Sequence, residues 1–188
     1  MKRIRIGSGL SKLLAPLGVA LAMAAAPAAH AEEDLVLGGS IPLSGVFAFA
    51  GQGIHAGITD YVKIINDQGG VKGRKVRYVP EDTAYKVDAS VAAFKKITSQ
   101  NKVNFYYGDS TGFSKTINAE LNRAGSILMT GASFATELND PAKYPAQFML
   151  GPDYTEMFGI LLRYIAKEKP GAKVAFVYSD TELSLIHI

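Results

Sequence analysis

The sequence predicts an α/β fold, a doubly wound parallel sheet. Apolar, strand-like segments alternate with helix-like segments over residues 35–178, and short glycine-containing loops connect them. The composition, 48% hydrophobic and 20% charged among 188 residues, is that of a globular protein. Strands that alternate with helices form parallel sheets, and right-handed crossovers place the helices on both faces.

The first part of this pattern contains two strands and a helix. Residues 35–41 form an apolar run that Pro42 ends, which predicts a buried strand. Apolar residues spaced three and four apart predict a helix over residues 54–67, followed by a glycine pair suited to a C-terminal cap. Residues 75–79 alternate in polarity and predict the second strand.

The next part is expected to contain two helices with a strand between them. Asp88 is a candidate N-cap for a second helix. Residues 103–107 predict a third strand, and residues 108–112 a tight loop. A third helix is expected over residues 114–123, closed by Gly125 in a left-handed conformation.

The last part is expected to hold three strands and a helix. The strands are predicted at residues 127–129, 147–150 and 173–178, and the helix at residues 153–169. The apolar face of that helix consists of Met157, Ile160, Leu161, Tyr164 and Ile165.

The N-terminal segment has the pattern of a secretory signal. Four basic residues precede an apolar run over residues 13–26, and Ala29-His30-Ala31 offers a cleavage site. The alternative is a membrane anchor, but this run is shorter than the ~20 residues that span a bilayer. We expect cleavage of residues 1–31, a periplasmic location and no membrane span in the mature chain.

Composition excludes several function classes. The expected signal contains four of the 20 basic residues and none of the 17 acidic ones, so the mature chain is slightly acidic and has no electrostatic basis for nucleic-acid binding. The chain has no cysteine, which excludes disulfides, thiolate metal sites and cysteine nucleophiles, and its three histidines disfavour a histidine metal site. No metal, cofactor or catalytic residue is predicted.

The C-terminal hexapeptide at residues 183–188 resembles the translation of an adapter used in DNA library preparation. The alternative is a genuine tail. We expect a non-native tail, with the native part ending near Glu182 inside a second domain.

Four loops follow the predicted strands at their carboxyl ends, where ligands bind in sheets of this kind. They span residues 44–53, 81–85, 108–114 and 131–136. In the last of these, small residues let a ligand approach the backbone, and Phe134 is either an apolar wall of the site or a core residue.

Two of these loops contain motifs with a possible chemistry. Residues 51–56 fit G-x-G-x-x-A, but they lie too far from the first strand for a dinucleotide site, so a glycine-rich loop at a helix start is favoured. Residues 108–112 fit G-x-S-x-G between a strand and a helix, as a serine nucleophile requires. Hydrolases on this fold place the histidine base after the serine, whereas His55 precedes Ser110 and His187 lies in the expected tail. A hydrolase would therefore have its base beyond the native part of this chain.

Five segments together resemble the branched-chain amino-acid (Leu/Ile/Val) binding protein family, the substrate-binding components of ABC importers. They are Ser40-Ile41-Pro42-Leu43-Ser44-Gly45, residues 66–75, Glu81-Asp82-Thr83, residues 129–138 and residues 174–180. The resemblance implies a two-lobe periplasmic-binding-protein fold, with the first lobe at residues 32–150 and the start of the second at 151–182. It also implies a small-molecule ligand, an inner-membrane permease as partner, a monomer at full length and no enzymatic activity.

The resemblance also implies roles in the site. Ser110 and Thr111 would hold a ligand carboxylate, and the Ala132 carbonyl would accept from an ammonium group. Phe134 stands where the family has a threonine. Together with Phe47, Phe49 and Tyr85, this points to a more apolar or aromatic carboxylate ligand. The candidate binding residues are Ser44, Phe49, Tyr85, Asp109, Ser110, Thr111, Ala132, Ser133 and Phe134.

Two other functions remain open from the sequence. One is a serine hydrolase that uses Ser110. The other is a ligand-sensing domain of a receptor or regulator on the same fold.

Overall fold

The computed structural model describes residues 33–177, where four strands alternate with four α-helices. The expected signal peptide, the expected C-terminal tail and His187 lie outside these residues. The elements are β1 Leu35–Ile41, α1 Ala48–Asp67, β2 Val76–Asp82, α2 Val87–Gln100, β3 Val103–Gly108, α3 Thr111–Ala124, β4 Leu128–Gly131, a 3-10 helix Thr136–Asn139 and α4 Tyr154–Glu168.

The four strands form one parallel sheet in the order β2-β1-β3-β4. After β1 the chain moves outward to β2, and it then crosses back to β3 on the other side of β1. The strand order therefore reverses between β1 and β3, and the loops after these strands flank a crevice. The predicted doubly wound parallel sheet is confirmed.

The hydrophobic core lies between one face of the sheet and helices α2 and α3. Tyr106 of β3 is fully buried at its centre, and its ring meets that of Phe94 edge to face at a centroid distance of 4.9 Å. The neighbouring residues of β3 point to the opposite face, where α1 packs on β1 and β2. The buried members of the core are Val36, Phe94, Ile97, Val103, Tyr106, Phe113, Ile117, Leu121, Ile127 and Met129.

Helix α1 begins at Ala48, six residues before the predicted start at Ile54. Residues 51–56 therefore lie inside the helix, and the interpretation of this motif as a loop before a helix is wrong. The earlier start is possible because Gly51 has no side chain: a Cβ there would lie 2.0 Å from the carbonyl oxygen of Pro42. The helix thus packs directly on the end of β1.

Helix caps explain two further differences. The predicted loop at residues 108–112 is shorter than expected: only Asp109 and Ser110 lie between β3 and α3. Helix α3 starts at Thr111 because the Ser110 hydroxyl accepts from the Phe113 N–H at 3.2 Å and caps it. Lys86, not Asp88, is the N-cap of α2, and Asp88 lies in the first turn. Gly125 ends α3 in the left-handed conformation, as predicted.

The prediction of a fifth and a sixth strand is wrong within the described residues. Residues 147–150 form only an isolated bridge, between Gln147 and Met129 of β4, and residues 173–177 form no strand. The second strand, by contrast, continues beyond its predicted end at Val79 to Asp82, because its last residues pair with β1. A strand persists only where a neighbouring strand accepts its hydrogen bonds.

Helix α4 follows its predicted bounds to within a residue. Asp153 caps it, and its carboxylate accepts from the Glu156 N–H at 2.9 Å while Glu156 accepts from the Asp153 N–H. Ile160, Leu161 and Tyr164 of its apolar face are exposed. Among residues 33–177, no helix combines the length and the apolar character that a membrane span requires.

Candidate ligand-binding site

A cavity of about 150 Å³ lies at the carboxyl ends of the strands, beside the point where the strand order reverses. We call it the strand-end cavity. Three of the predicted binding residues, Tyr85, Asp109 and Ala132, line it together. The full lining is Pro42, Phe47, Ala50, Ile54, Tyr85, Tyr107, Asp109 and Ala132.

One side of the strand-end cavity is an aromatic wall formed by Phe47 and Tyr85, whose ring centroids are 4.0 Å apart. Burial, and next the charge of Asp109, raise the pKa of Tyr85, so this phenol stays neutral at physiological pH. Phe49 stacks on the outer side of Phe47 at 5.9 Å but is 79% exposed, and it does not line the cavity. The wall suits an apolar or aromatic ligand group.

Asp82 fixes the two loops that carry this wall. Its carboxylate accepts from the Ser44 hydroxyl at 2.6 Å, the Leu43 N–H at 2.9 Å and the Ala84 N–H at 3.0 Å. Ala84 and Tyr85 both adopt positive φ, at 48° and 62°, a strained conformation for residues with a Cβ. Asp82 therefore helps to hold the strained turn that places Tyr85, and Ser44 serves as an anchor of the loop.

These bonds predict a pH dependence for Asp82. The hydrogen bond from the Ser44 hydroxyl, followed by that from the Ala84 N–H, lowers the pKa of Asp82. A carboxyl whose pKa is lower in the folded state contributes stability above its unfolded pKa, near ~4, and loses that contribution as pH falls through the folded pKa. Asp82→Asn should thus be less stable than wild type in urea unfolding at pH 7, and this difference should shrink in acid.

The matched control is Asp60→Asn, which removes an exposed carboxylate from α1 without disturbing either loop. Its stability difference from wild type should be small at both pH values. A difference for Asp82→Asn that stays constant from pH 7 down to pH ~2 would contradict the prediction.

Asp109 joins three segments at the base of the cavity. The residue is 1% exposed, and its carboxylate accepts from the hydroxyls of Thr83, of Ser90 at 2.8 Å and of Ser110 at 3.0 Å. Burial raises the pKa of Asp109, and the hydroxyl donors partly oppose this rise. The β2–α2 loop, α2 and the β3–α3 loop are therefore held together by one buried carboxyl group.

Ser110, Thr111 and Ser133 are buried beside Asp109. The Ser110 hydroxyl is engaged twice, as the cap of α3 and as a donor to Asp109. The hydroxyls of Thr111 and Ser133 share a hydrogen bond of 2.7 Å. In the described part of the chain, the hydrogen bonds of Ser110 thus give it the role of a helix cap, with no histidine among its partners.

Phe134 faces away from the strand-end cavity. Its ring meets that of Tyr154 edge to face at 6.0 Å, and its carbonyl accepts from the Tyr154 N–H at 2.8 Å. Phe134 thus packs against the first turn of α4. The structure therefore groups three of the nine predicted site residues, Tyr85, Asp109 and Ala132, in the cavity. The other six lie outside its lining: Ser44, Phe49, Ser110, Thr111, Ser133 and Phe134.

Sequence reasoning missed four members of the lining as site residues: Pro42, Ala50, Ile54 and Tyr107. Tyr107 lies at the end of β3 and alternates with the buried Tyr106, so the strand period could have identified it. As for metals, residues 33–177 contain no group of three histidine or acidic side chains that could hold an ion.

Comparison with known proteins identifies the family of this chain. Residues 34–185 match the periplasmic binding protein family. A Leu/Ile/Val-binding protein homolog 3 from Brucella melitensis is 27% identical over 168 residues, which are 89% of this chain and 45% of that protein. The Leu/Ile/Val-binding protein BraC3 from Rhizobium johnstonii is 28% identical and covers 89% of this chain and 44% of its own length.

A solved structure is also similar to this chain in fold. The crystal structure of a branched chain amino acid ABC transporter from Thermus thermophilus with bound valine has a TM-score of 0.72 and 27% identity, and covers 83% of this chain and 40% of that one. The present chain thus spans less than half the length of these three proteins. With a parallel sheet, a strand-end cavity and a match over residues 34–185, the chain belongs to the periplasmic binding protein family.

Proposed function

We propose that the chain supplies a ligand-binding lobe of an extracytoplasmic solute-binding protein of an ABC importer. Its ligand is a small carboxylate, a branched-chain amino acid or a related apolar or aromatic acid. It acts in the periplasm without catalysis and delivers the ligand to an inner-membrane permease. The relatives named for Leu/Ile/Val binding and the solved structure with bound valine support this proposal.

The strand-end cavity is the observation that carries it. The cavity joins an aromatic wall to the region where α3 begins, and Ala132 brings the end of β4 to the same place. The first N–H groups of a helix have no intrahelical acceptor, so the start of α3 favours a carboxylate. The hydroxyls of Thr111 and Ser133 are hydrogen-bonded to each other and link the start of α3 to the loop after β4.

One lobe grips such a ligand from one side only. In the proposed full protein, the ligand bridges two lobes and stabilises the closed state because it binds that state better than the open one. We therefore expect weak, millimolar binding by this chain, measurable by NMR.

The experiment is a titration of the ¹⁵N-labelled chain with L-valine, L-isoleucine and L-phenylalanine, followed by amide chemical shifts. The largest shifts are expected at residues 109–112 and 131–133. Thr111→Val should weaken binding at least about tenfold, the size expected for one charge-assisted hydrogen bond. The matched control is Thr59→Val in α1, whose hydroxyl donates to the His55 carbonyl far from these loops.

Ser110→Ala is a poorer test, because it also removes the cap of α3. Shifts that map to the outer surface of α1 and spare both loops would contradict the proposal. So would equal affinity of the Thr111→Val and Thr59→Val variants.

A further inference from the structure

Asp109 is a buried carboxyl group to which the proposed function gives no contact with the ligand. It belongs to the lining of the strand-end cavity and directly precedes Ser110, the N-cap of α3, yet the residue is only 1% exposed. Among residues 33–177, Asp109 takes part in no ion pair. A buried carboxyl group without a cation is costly to ionise, because burial disfavours the charged form.

The hydrogen bonds around Asp109 can be satisfied in either protonation state. The Ser90 hydroxyl has one proton and two acceptors within reach, Asp109 Oδ2 at 2.8 Å and the Lys86 carbonyl oxygen at 2.9 Å. When Asp109 is ionised, Ser90 donates to it. When Oδ2 carries a proton, Oδ2 donates to the Ser90 hydroxyl oxygen, and Ser90 donates to the Lys86 carbonyl. The network therefore accepts a proton without leaving a buried group unpaired.

Protonation of Oδ2 also leaves the start of α3 in place. The other oxygen of Asp109, Oδ1, accepts from the Ser110 hydroxyl at 3.0 Å and can do so in both states. The Ser110 hydroxyl thus continues to cap α3 by accepting from the Phe113 N–H. The two states differ in the charge beside the first turn of α3 and not in the position of the helix.

The titratable groups that interact with Asp109 are phenols. Tyr85 of the β2–α2 loop and Tyr106 and Tyr107 of β3 each have a pKa that burial raises and that the charge of Asp109 raises further, so they stay neutral at physiological pH. The charged side chains of the adjoining segments are engaged elsewhere or exposed: Glu81 pairs with Lys96, Asp82 accepts from Ser44, Lys115 pairs with Glu137, and Lys86 and Asp88 are exposed.

We infer that Asp109 is a proton-binding site that couples pH to ligand capture: the strand-end cavity holds a ligand carboxylate more tightly when Asp109 is neutral. The inference rests on the proposed function and adds a regulation to that same site. A ligand carboxylate at the start of α3 and an ionised Asp109 would be two like charges near one helix start, which is unfavourable. Anion binding therefore favours proton uptake, and proton uptake favours anion binding by the same factor.

The affinity for a carboxylate should consequently fall as pH rises. Burial raises the pKa of Asp109 in the free chain, the hydroxyl donors partly oppose this rise, and a bound anion raises the pKa further. Below the pKa of the free chain, Asp109 is neutral with and without ligand, and the affinity is at its maximum. The affinity then decreases from that pKa up to the higher pKa of the ligand-bound chain.

Two ligands that share one aromatic body test the inference: 3-phenylpropanoate, which has a carboxylate, and 3-phenylpropanamide, its uncharged counterpart. Amide-shift titrations of the ¹⁵N-labelled chain are made from pH 8 to pH 5.5, a range in which the free carboxylate stays ionised. We expect 3-phenylpropanoate to bind at least about fivefold more tightly at the lower pH, the lower limit of ordinary coupling between two sites. The affinity for 3-phenylpropanamide should not change.

The proton itself is followed by the ¹³C shift of the Asp109 side-chain carboxyl. Its titration midpoint in the free chain should lie above the ordinary aspartate value of about 3.9. Added 3-phenylpropanoate should raise this midpoint, and added 3-phenylpropanamide should not, because only the carboxylate repels the ionised form.

Asp109→Asn keeps the shape of the side chain and removes the titrating group, so its affinity for 3-phenylpropanoate should not depend on pH. Ser90→Ala is the second variant if Asp109→Asn does not fold. It removes a donor to the carboxylate and should move the ¹³C midpoint and the pH dependence of binding to higher pH. The matched control is His55→Gln in α1, whose ring lies 5.7 Å from that of Tyr78, and which should leave the pH dependence unchanged.

The outcomes separate the two proposals. If 3-phenylpropanoate binds equally well at pH 8 and pH 5.5, or if its pH dependence persists in Asp109→Asn, the inference about Asp109 is overturned and the proposed function stands. If neither ligand, nor valine, isoleucine or phenylalanine, perturbs the strand-end loops at any pH, the proposed function fails and the inference fails with it.

Discussion

Gly51→Ala is expected to destabilise the folded chain by about 3 kcal/mol, at the upper end of the usual cost of overpacking. The added Cβ would lie 2.0 Å from the Pro42 carbonyl oxygen and 2.9 Å from the Pro42 ring. Pro42 directly follows β1, which pairs with strands on both sides, so its backbone has little freedom to yield. Relief requires α1 to move away from the sheet, which also displaces Phe47 from the strand-end cavity.

Gly53→Ala, two residues further along α1, is the matched control. A Cβ at Gly53 meets no atom within 4 Å, and Ala is favoured over Gly in a helix by about 0.5–1 kcal/mol. The two substitutions should therefore shift the urea midpoint, followed by circular dichroism, in opposite directions. Destabilisation of equal size by both would show that contact with Pro42 is not the cause.

Local periodicity predicted the order of the elements but not all of their limits. The apolar spacing of α1 becomes regular at Ile54, so the preceding turn of helix was missed, and its start depends on how closely Gly51 can approach Pro42. Residues 147–150 and 173–177 are apolar enough for strands, yet only a bridge at Gln147 forms. Pairing depends on a neighbouring strand, which no local pattern reports.

The same distinction holds for the candidate site. Tyr85, Asp109 and Ala132 lie in loops that strand-end geometry predicts to meet, with the role of Ala132 implied by the family resemblance, and they do share a cavity. Ser44 and Phe134 also lie in strand-end loops, but their side chains bind elsewhere. The Ser44 hydroxyl donates a hydrogen bond to Asp82, and the Phe134 ring packs against Tyr154. Side-chain direction within a loop is set by such tertiary contacts and cannot be read from loop position.

Phe113→Ala should destabilise the folded chain by about 3–5 kcal/mol. Phe113 is fully buried, and its ring lies 6.0 Å from that of Tyr106 and 6.4 Å from that of Phe94. Removing it leaves a cavity between the sheet, α2 and α3. Since small domains have only about 5–15 kcal/mol of total stability, we expect a large drop of the urea midpoint.

The substitution should also weaken ligand binding, although Phe113 lies outside the strand-end cavity. Its N–H donates to the Ser110 hydroxyl, which in turn donates to Asp109, so a displaced first turn of α3 disturbs the buried carboxyl group. Phe105→Ala, on the partly exposed face of the same sheet, removes a ring of the same size without this connection and should cost only about 1 kcal/mol. If the amide shifts of Ser110 and Asp109 change in Phe113→Ala but not in Phe105→Ala, core packing positions the binding loop. Equal unfolding midpoints for the two variants would contradict the prediction.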